Sequence, residues 1–257
     1  MTNLSKFDNS KLSIEFNTIH SVNNYLDAAE GRSERRYFYV TFLRDPVSRF
    51  LSELKHVQRG ATWRDANHIC GGRPPAPGEL PDCYAGRDWR GVGLDEFMGC
   101  ESNLAFNRQT RMLADLELVN CYNVTGMERG ERERIMLHSA KENLLRMAFF
   151  GLTEMQAESQ YVFQETFGLR FKTKFFQYGR DHASKVHDRI SEARIKKIER
   201  LNHLDMKLYE FAKEVMSGRF EEIKRSDPSF EENFGLLAKG ELSEDGEEND
   251  EEDDYSY

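Results

Sequence analysis

The stretch Tyr37–Ser52, YFYVTFLRDPVSRFLS, decides how the rest of the chain is read. Tyr37 to Leu43 is an unbroken apolar and aromatic run, the pattern of a parallel strand buried on both faces. Arg44-Asp45-Pro46 then turns the chain, and proline suits the first position of a helix because its missing N–H would go unused there. Val47, Phe50, Leu51 and Leu54 recur at helical spacing, so Val47–Val57 reads as an amphipathic helix. Arg44 closes the strand and Ser52 follows two helical turns later. A forked, permanently charged donor set, a helix start and a hydroxyl together suit an anionic group such as a phosphate at the strand's carboxyl end. On these residues alone, a buried strand followed by a helix with a solvated arginine is an equal reading.

Outward from this block, Gly60–Gly93 is rich in Gly and Pro and has little periodicity; a loop of that length in a compact domain is functional or cross-linked. Leu104–Leu113 and Arg132–Met147 read as helices, Ala148–Thr153 as a second short strand, and Glu154–Phe167 as the helix after it. This alternation argues for an α/β layered fold with a parallel sheet. Ile190–Met216 reads as one long helix, with Ile195, Ile198, Leu201, Leu204, Leu208 and Phe211 along a core-facing stripe. From Glu241 onward the composition falls to Asp, Glu, Gly, Asn and Ser, which cannot bury enough surface to offset ordering entropy.

The 257-residue chain is 39% hydrophobic and carries a formal net charge of −9. That charge is misleading, because residues 221–257 hold 15 acidic against 3 basic side chains, leaving residues 1–220 at +3. A mildly basic body permits a nucleotide or a sulfated glycan without demanding either. The clusters Arg32–Arg36 and Arg194–Arg200 read as solvated faces. Cys70, Cys83, Cys100 and Cys121 lack Cys-x-x-Cys or finger spacing, so no metal site is expected and disulfides are, with Cys70–Cys83 and Cys100–Cys121 as the expected pairs. Asn3 and Asn123 stand in Asn-x-Ser/Thr sequons, the acceptor pattern of lumenal glycoproteins.

With its continuation ELKHVQRGATW (Glu53–Trp63), the opening block closely resembles the heparan sulfate 6-O-sulfotransferases. The resemblance resumes in CGGRPPAPGELPDCYAGRDW (Cys70–Trp89), NRQTRMLADLELVNCYNVT (Asn107–Thr125), MAFFGLTEMQ (Met147–Gln156) and LNHLDMKLYEFAK (Leu201–Lys213), and runs from about Arg35 to about Phe220. It implies a P-loop-type sulfotransferase fold with a central parallel sheet, here missing its first strand and phosphate loop. The implied divisions are a divergent segment 1–34, a sulfotransferase domain 35–220 and an acidic disordered tail 221–257. The implied co-substrate is the sulfate donor PAPS, with Arg44 and Ser52 on its 3'-phosphate. Phe176, Gln177, Tyr178, His182 and Ala183 match a second donor-contacting region, with His182 standing where the family has Arg. His56 and Trp63 match glycan-contacting positions. His56 follows Ser52 by one turn, Trp63 offers a flat apolar face to a sugar ring, and Lys55, Arg59 and Arg64 are available to sulfates or carboxylates.

The implied reaction transfers sulfate from PAPS to the 6-hydroxyl of glucosamine in heparan sulfate or heparin, with no metal and no nucleic-acid partner. Two of its requirements have no owner in the sequence. No Lys-Thr-Gly-Gly-Thr type of loop is present to cradle the 5'-phosphosulfate, and no His-Ala-Asp-Trp segment supplies the base; His20 is the one upstream histidine, in a context that does not match. Impaired activity is therefore expected, and a non-catalytic heparan sulfate-binding or regulatory protein is the alternative. The family resides in the Golgi lumen, held by an N-terminal membrane anchor, and no such apolar run occurs in this chain.

Overall fold

The computed structural model describes residues 38–64, 66–171 and 190–238. Two strands, β1 (Val40–Leu43) and β2 (Phe149–Leu152), pair in parallel with Val40 opposite Phe149 and Leu43 opposite Leu152. The ladder continues at both ends, where Ala148 N–H donates to Tyr39 C=O at 3.0 Å and Thr153 N–H to Leu43 C=O at 2.9 Å. All four β2 residues are buried, as expected of a parallel strand covered on both faces. On β1 the alternation sends Leu43 into the core and leaves Val40 and Phe42 partly exposed. Gly151 lies under the Phe42 ring, which occupies the space a side chain there would need.

Everything between the strands forms the crossover. Helix α1 (Pro46–Gln58) starts where expected, because Asp45 caps it by accepting from Ser48 N–H at 2.8 Å and Pro46 takes the first helical position. Val47, Phe50, Leu51, Leu54 and Val57 form its buried stripe. The short α2 (Leu94–Phe97) and α3 (Arg108–Leu113) follow, then a 3-10 turn (Leu116–Val119) and α4 (Arg129–Arg146). After β2 come α5 (Gln156–Phe167), α6 (Glu192–Leu201), α7 (His203–Ser226) and α8 (Phe230–Ala238). One apolar core joins both strands to α4, α5 and α7 through Leu43, Leu144, Phe150, Leu152, Val162, Leu208 and Met216. A second gathers α1, α2 and α6 around Phe50, Leu54, Trp89, Phe97 and Ile198.

Several expectations are corrected. The long helix Ile190–Met216 is two helices, broken at Asn202. This fully buried side chain donates to Ile198 C=O at 2.9 Å and accepts from Arg49 and from Asn107 N–H, so it competes with the helical backbone. The helix expected from Leu104 starts only at Arg108, because Asn107 adopts a left-handed conformation in which its side chain accepts from Leu204 N–H at 2.9 Å and Asp205 N–H at 3.3 Å. The chain expected to become a disordered tail at 221 remains helical to Ala238: α8 is pinned by Phe230 and Phe234, whose rings lie 5.3 and 5.7 Å from that of Tyr161.

The disulfides are Cys70–Cys121 and Cys83–Cys100, not the sequential pairs. Sequential pairing fails because the packing of the loop brings other partners together. Tyr84 stacks on Trp89 at 5.4 Å and Trp89 packs on Phe97 at 5.5 Å, folding the segment back so that Cys83 returns to the end of α2. Cys70 sits in a tight bridge with Arg73, turned by Gly71 and Gly72 at φ +58° and +71°, which directs its sulfur to the turn after Val119. There Asn120 and Cys121 are both left-handed, and Arg132 from α4 donates to the carbonyls of Val119, Cys121 and Asn123.

Candidate functional site

Arg44 leaves β1 with its backbone held on both sides by one side chain. Its N–H donates to Gln109 Oε1 at 2.8 Å, and its C=O accepts from Gln109 Nε2 at 2.9 Å. Gln109 is itself fixed, since its N–H donates to Asp205 Oδ2 at 3.1 Å, while Thr110 donates to Asp205 Oδ1 through both its N–H and its hydroxyl at 2.7 Å. Asp205 is fully buried on α7 and lies 3.7 Å from Arg49 Nε. Arg49 also pairs with Glu53 and donates to Ala105 C=O at 2.6 Å and Asn202 Oδ1 at 2.9 Å. Burial lowers the Arg49 pKa, and the Glu53 and Asp205 carboxylates oppose that fall. A polar network from α1, α3 and α7 thus braces the strand end.

The Arg44 guanidinium and the Ser52 hydroxyl, by contrast, have no hydrogen bond or ion pair with any described residue. Other arginines of the molecule are committed: Arg49 to Glu53, Arg64 to Asp82, Arg73 to Glu79, Arg194 to Asp95. A half-buried cation on a rigid backbone with no internal partner fits an external anion, and Ser52 stands two turns along the same helix. The helix start adds less to this than the sequence suggested, because Pro46 has no N–H and Asp45 takes that of Ser48. Asp45 N–H donates to Glu154 Oε1 at 3.0 Å, and Tyr209 O–H donates to Glu154 Oε2 at 2.6 Å, which ties the ends of the two strands to α7. Desolvation, and then Glu154, push the Tyr209 hydroxyl well above the ordinary phenol range.

His56 is exposed one turn beyond Ser52, its Nδ1 3.0 Å from Arg59 Nη2. Trp63 is half-buried, stacked on Phe97 at 6.4 Å with 24° between the rings, and it lines the large cleft beside α3 and α4. Arg64 is already engaged: Asp82 holds it at 2.5 and 3.1 Å, Tyr84 C=O accepts from it at 2.9 Å, and its guanidinium lies 4.9 Å from the Tyr84 ring. Asp82 raises its pKa accordingly. His20, Phe176, Gln177, Tyr178, His182, Ala183 and Asn3 lie outside the described residues. Asn123 sits at an exposed turn, its Oδ1 accepting from Thr125 N–H at 2.9 Å and from the Thr125 hydroxyl at 2.8 Å. Among the described residues no group of three or more His, Cys, Asp or Glu could hold a metal, and no helix is long and apolar enough to cross a membrane.

Gln109, Asp205, Asn107 and Asn202, which brace the site, were not singled out by sequence reasoning. Their signal was present as polar residues in NRQT and LNHLD beside otherwise apolar helical stripes, but their pairing spans about 95 residues and no local pattern encodes it.

Residues 2–212 match the model of the sulfotransferase family. The chain belongs to this family. The match begins well before the Arg35 boundary read from motifs. The chain is 52% identical over 205 residues to heparan-sulfate 6-O-sulfotransferase 1 of Homo sapiens, covering 80% of this chain and 49% of that protein. It is 56% identical over 191 residues to heparan-sulfate 6-O-sulfotransferase 3 of Homo sapiens (74% and 40%) and 50% identical over 211 residues to heparan-sulfate 6-O-sulfotransferase 2 of Gallus gallus (82% and 52%). This sulfotransferase-family chain therefore spans about half the length of these curated relatives or less.

Proposed function

We propose that this protein takes part in transfer of sulfate from PAPS to the 6-hydroxyl of glucosamine in heparan sulfate, and that the described residues supply binding positions for both substrates. The observation that carries the reading is Arg44, an unpartnered guanidinium on a backbone clamped by Gln109, in a family member so similar to heparan-sulfate 6-O-sulfotransferases. PAPS brings the sulfuryl group; Arg44 and Ser52 bind its 3'-phosphate through charge-assisted hydrogen bonds. His56 and Trp63 face the acceptor glycan, with the Trp63 ring held by Phe97 as a flat apolar platform.

The parallel pair β1–β2, joined by a helical crossover, supports the finer reading of a P-loop-type sheet. The sequence holds no loop of the Lys-Thr-Gly-Gly type and no His-Ala-Asp-Trp segment. We therefore assign the described residues to binding and expect weak transfer by this chain alone. Two disulfides and the Asn123 turn support a lumenal, glycosylated protein of the Golgi.

Calorimetric titration with PAP (adenosine 3',5'-bisphosphate) and with heparin separates the two half-sites. Arg44→Ala removes a contact worth about 1.5–3 kcal/mol, so PAP affinity falls by roughly tenfold or more, while Trp63→Ala weakens heparin alone. PAP binding unchanged by Arg44→Ala would refute the donor assignment.

A further inference from the structure

The face of α3 turned away from Arg44 lines a cleft of about 790 Å³ between the Trp63–Cys70 loop and α4. Gln109 and Thr110 point to β1 and α7, whereas Arg108, Arg111 and Met112 line the cleft. Across from them, α4 contributes Arg134, His138, Glu142 and Arg146, a row at successive four-residue steps that runs about 18 Å along one side. Four arginines meet two carboxylates, Asp115 and Glu142, in the wall of a body, residues 1–220, whose net charge is +3. Part of that small basic excess is therefore gathered here.

The arginines are unequally occupied. Arg108 lies 3.5 Å from Glu53, Arg111 donates to Leu104 C=O, and Arg146 is 4.0 Å from Glu142. Arg134 and His138 make no hydrogen bond or ion pair with any described residue, and both are exposed. Between the cations the wall is apolar, with Ile69, Met112 and Leu118 each at least half exposed, and Trp63 lies at the loop side. Separated cations over apolar surface suit a chain of pyranose rings bearing sulfates and carboxylates, each ring covering an apolar patch and each anion meeting a guanidinium.

We propose that this cleft is an extended subsite for an anionic polysaccharide, continuous with Trp63, which holds the acceptor chain several sugars away from the hydroxyl that reacts. The inference rests on the heparan sulfate reading above and adds Arg134, His138 and Arg146 of α4 as residues that select for chain length and sulfation.

The test uses size-defined heparin tetrasaccharide and octasaccharide on the oxidised full chain, with PAP as a parallel ligand. Arg134→Ser/Arg146→Ser should weaken the octasaccharide about tenfold or more, the loss of two charge-assisted contacts, and leave PAP affinity and the thermal transition unchanged. The tetrasaccharide should respond less, and Arg134→Lys/Arg146→Lys should restore most of the loss. A charge-matched control, Arg194→Ser/Arg225→Ser, alters exposed arginines outside the cleft lining. Octasaccharide binding unaffected by the cleft pair, or weakened equally by the control pair, overturns the subsite and leaves the proposed function intact. Arg44-dependent PAP binding with no octasaccharide binding by the parent also overturns it; binding of neither ligand overturns both readings.

Discussion

Replacing Asp205 tests the brace behind Arg44 more directly than replacing Arg44 itself. The buried carboxylate accepts three hydrogen bonds, from Gln109 N–H, Thr110 N–H and the Thr110 hydroxyl, and it faces Arg49 Nε, which has no hydrogen-bond partner of its own. Asp205→Ala leaves the fully buried Thr110 with two unmet donors, each costing about 1–3 kcal/mol. It also removes a counter-charge from Arg49. Arg49 keeps Glu53, Ala105 C=O and Asn202, so the losses do not add in full. A total near 3–5 kcal/mol follows, about the cost of breaking a buried ion pair and a large part of a domain's ordinary ~5–15 kcal/mol. Asp205→Asn keeps an acceptor for Thr110 but turns an amide donor toward Gln109 N–H, so its cost falls between parent and alanine. Urea unfolding with both disulfides intact measures the shift in midpoint, and a cycle with Arg49→Met isolates the charge pair. Because Asp205 fixes Gln109 and Gln109 fixes Arg44, PAP affinity should fall along with stability. A loss below about 1 kcal/mol for alanine, or full PAP affinity in a folded Asp205→Ala chain, would refute the bracing argument.

Peptide mapping without reduction should recover Cys70 joined to Cys121 and Cys83 joined to Cys100, and either sequential pair as the main species would contradict the packing argument. From sequence separations of 51 and 17, chain-entropy reasoning gives about 4 kcal/mol for the first bond and about 3 kcal/mol for the second; Cys70→Ser/Cys121→Ser should therefore lower the unfolding midpoint more than Cys83→Ser/Cys100→Ser. At the corner between α7 and α8, hydrogen bonds from the Tyr161 hydroxyl and from Asn233 hold Asp227 below the usual carboxylate range. A depressed folded-state pKa contributes stability above the unfolded value of about 3.9 and loses it as pH falls through the folded value. Carbon-detected NMR should thus place the Asp227 midpoint below that of free aspartate, and Tyr161→Phe should raise it; an unmoved midpoint would contradict the assignment.

What could be read from the sequence was local. The apolar run before Arg44, the Asp45-Pro46 start and the stripe Val47, Phe50, Leu51, Leu54 each lie within a few residues, so β1 and α1 appear almost where expected. The same holds for α4, β2 and α5, whose periodicity is set by burial of one helix face or both strand faces. Motif resemblance carried the family, because those stretches are specific without reference to three-dimensional contacts. Asn202 breaks a helix whose apolar stripe continues through it, and the reason is its bonds to Arg49 and Asn107, far away in the chain. Arg64 looked available to a glycan until Asp82 and Tyr84 were brought to it by the folded loop. Cys83 meets Cys100 through the packing of Trp89 on Phe97, and Cys70 meets Cys121 at the turn after Val119, neither of which the order of the cysteines can show. Periodicity reports which side of an element is buried, and that is a property of neighbouring residues. Which buried groups meet one another is fixed by packing across the crossover between β1 and β2, so the clamp on Arg44 and the basic cleft exist only once the chain has closed.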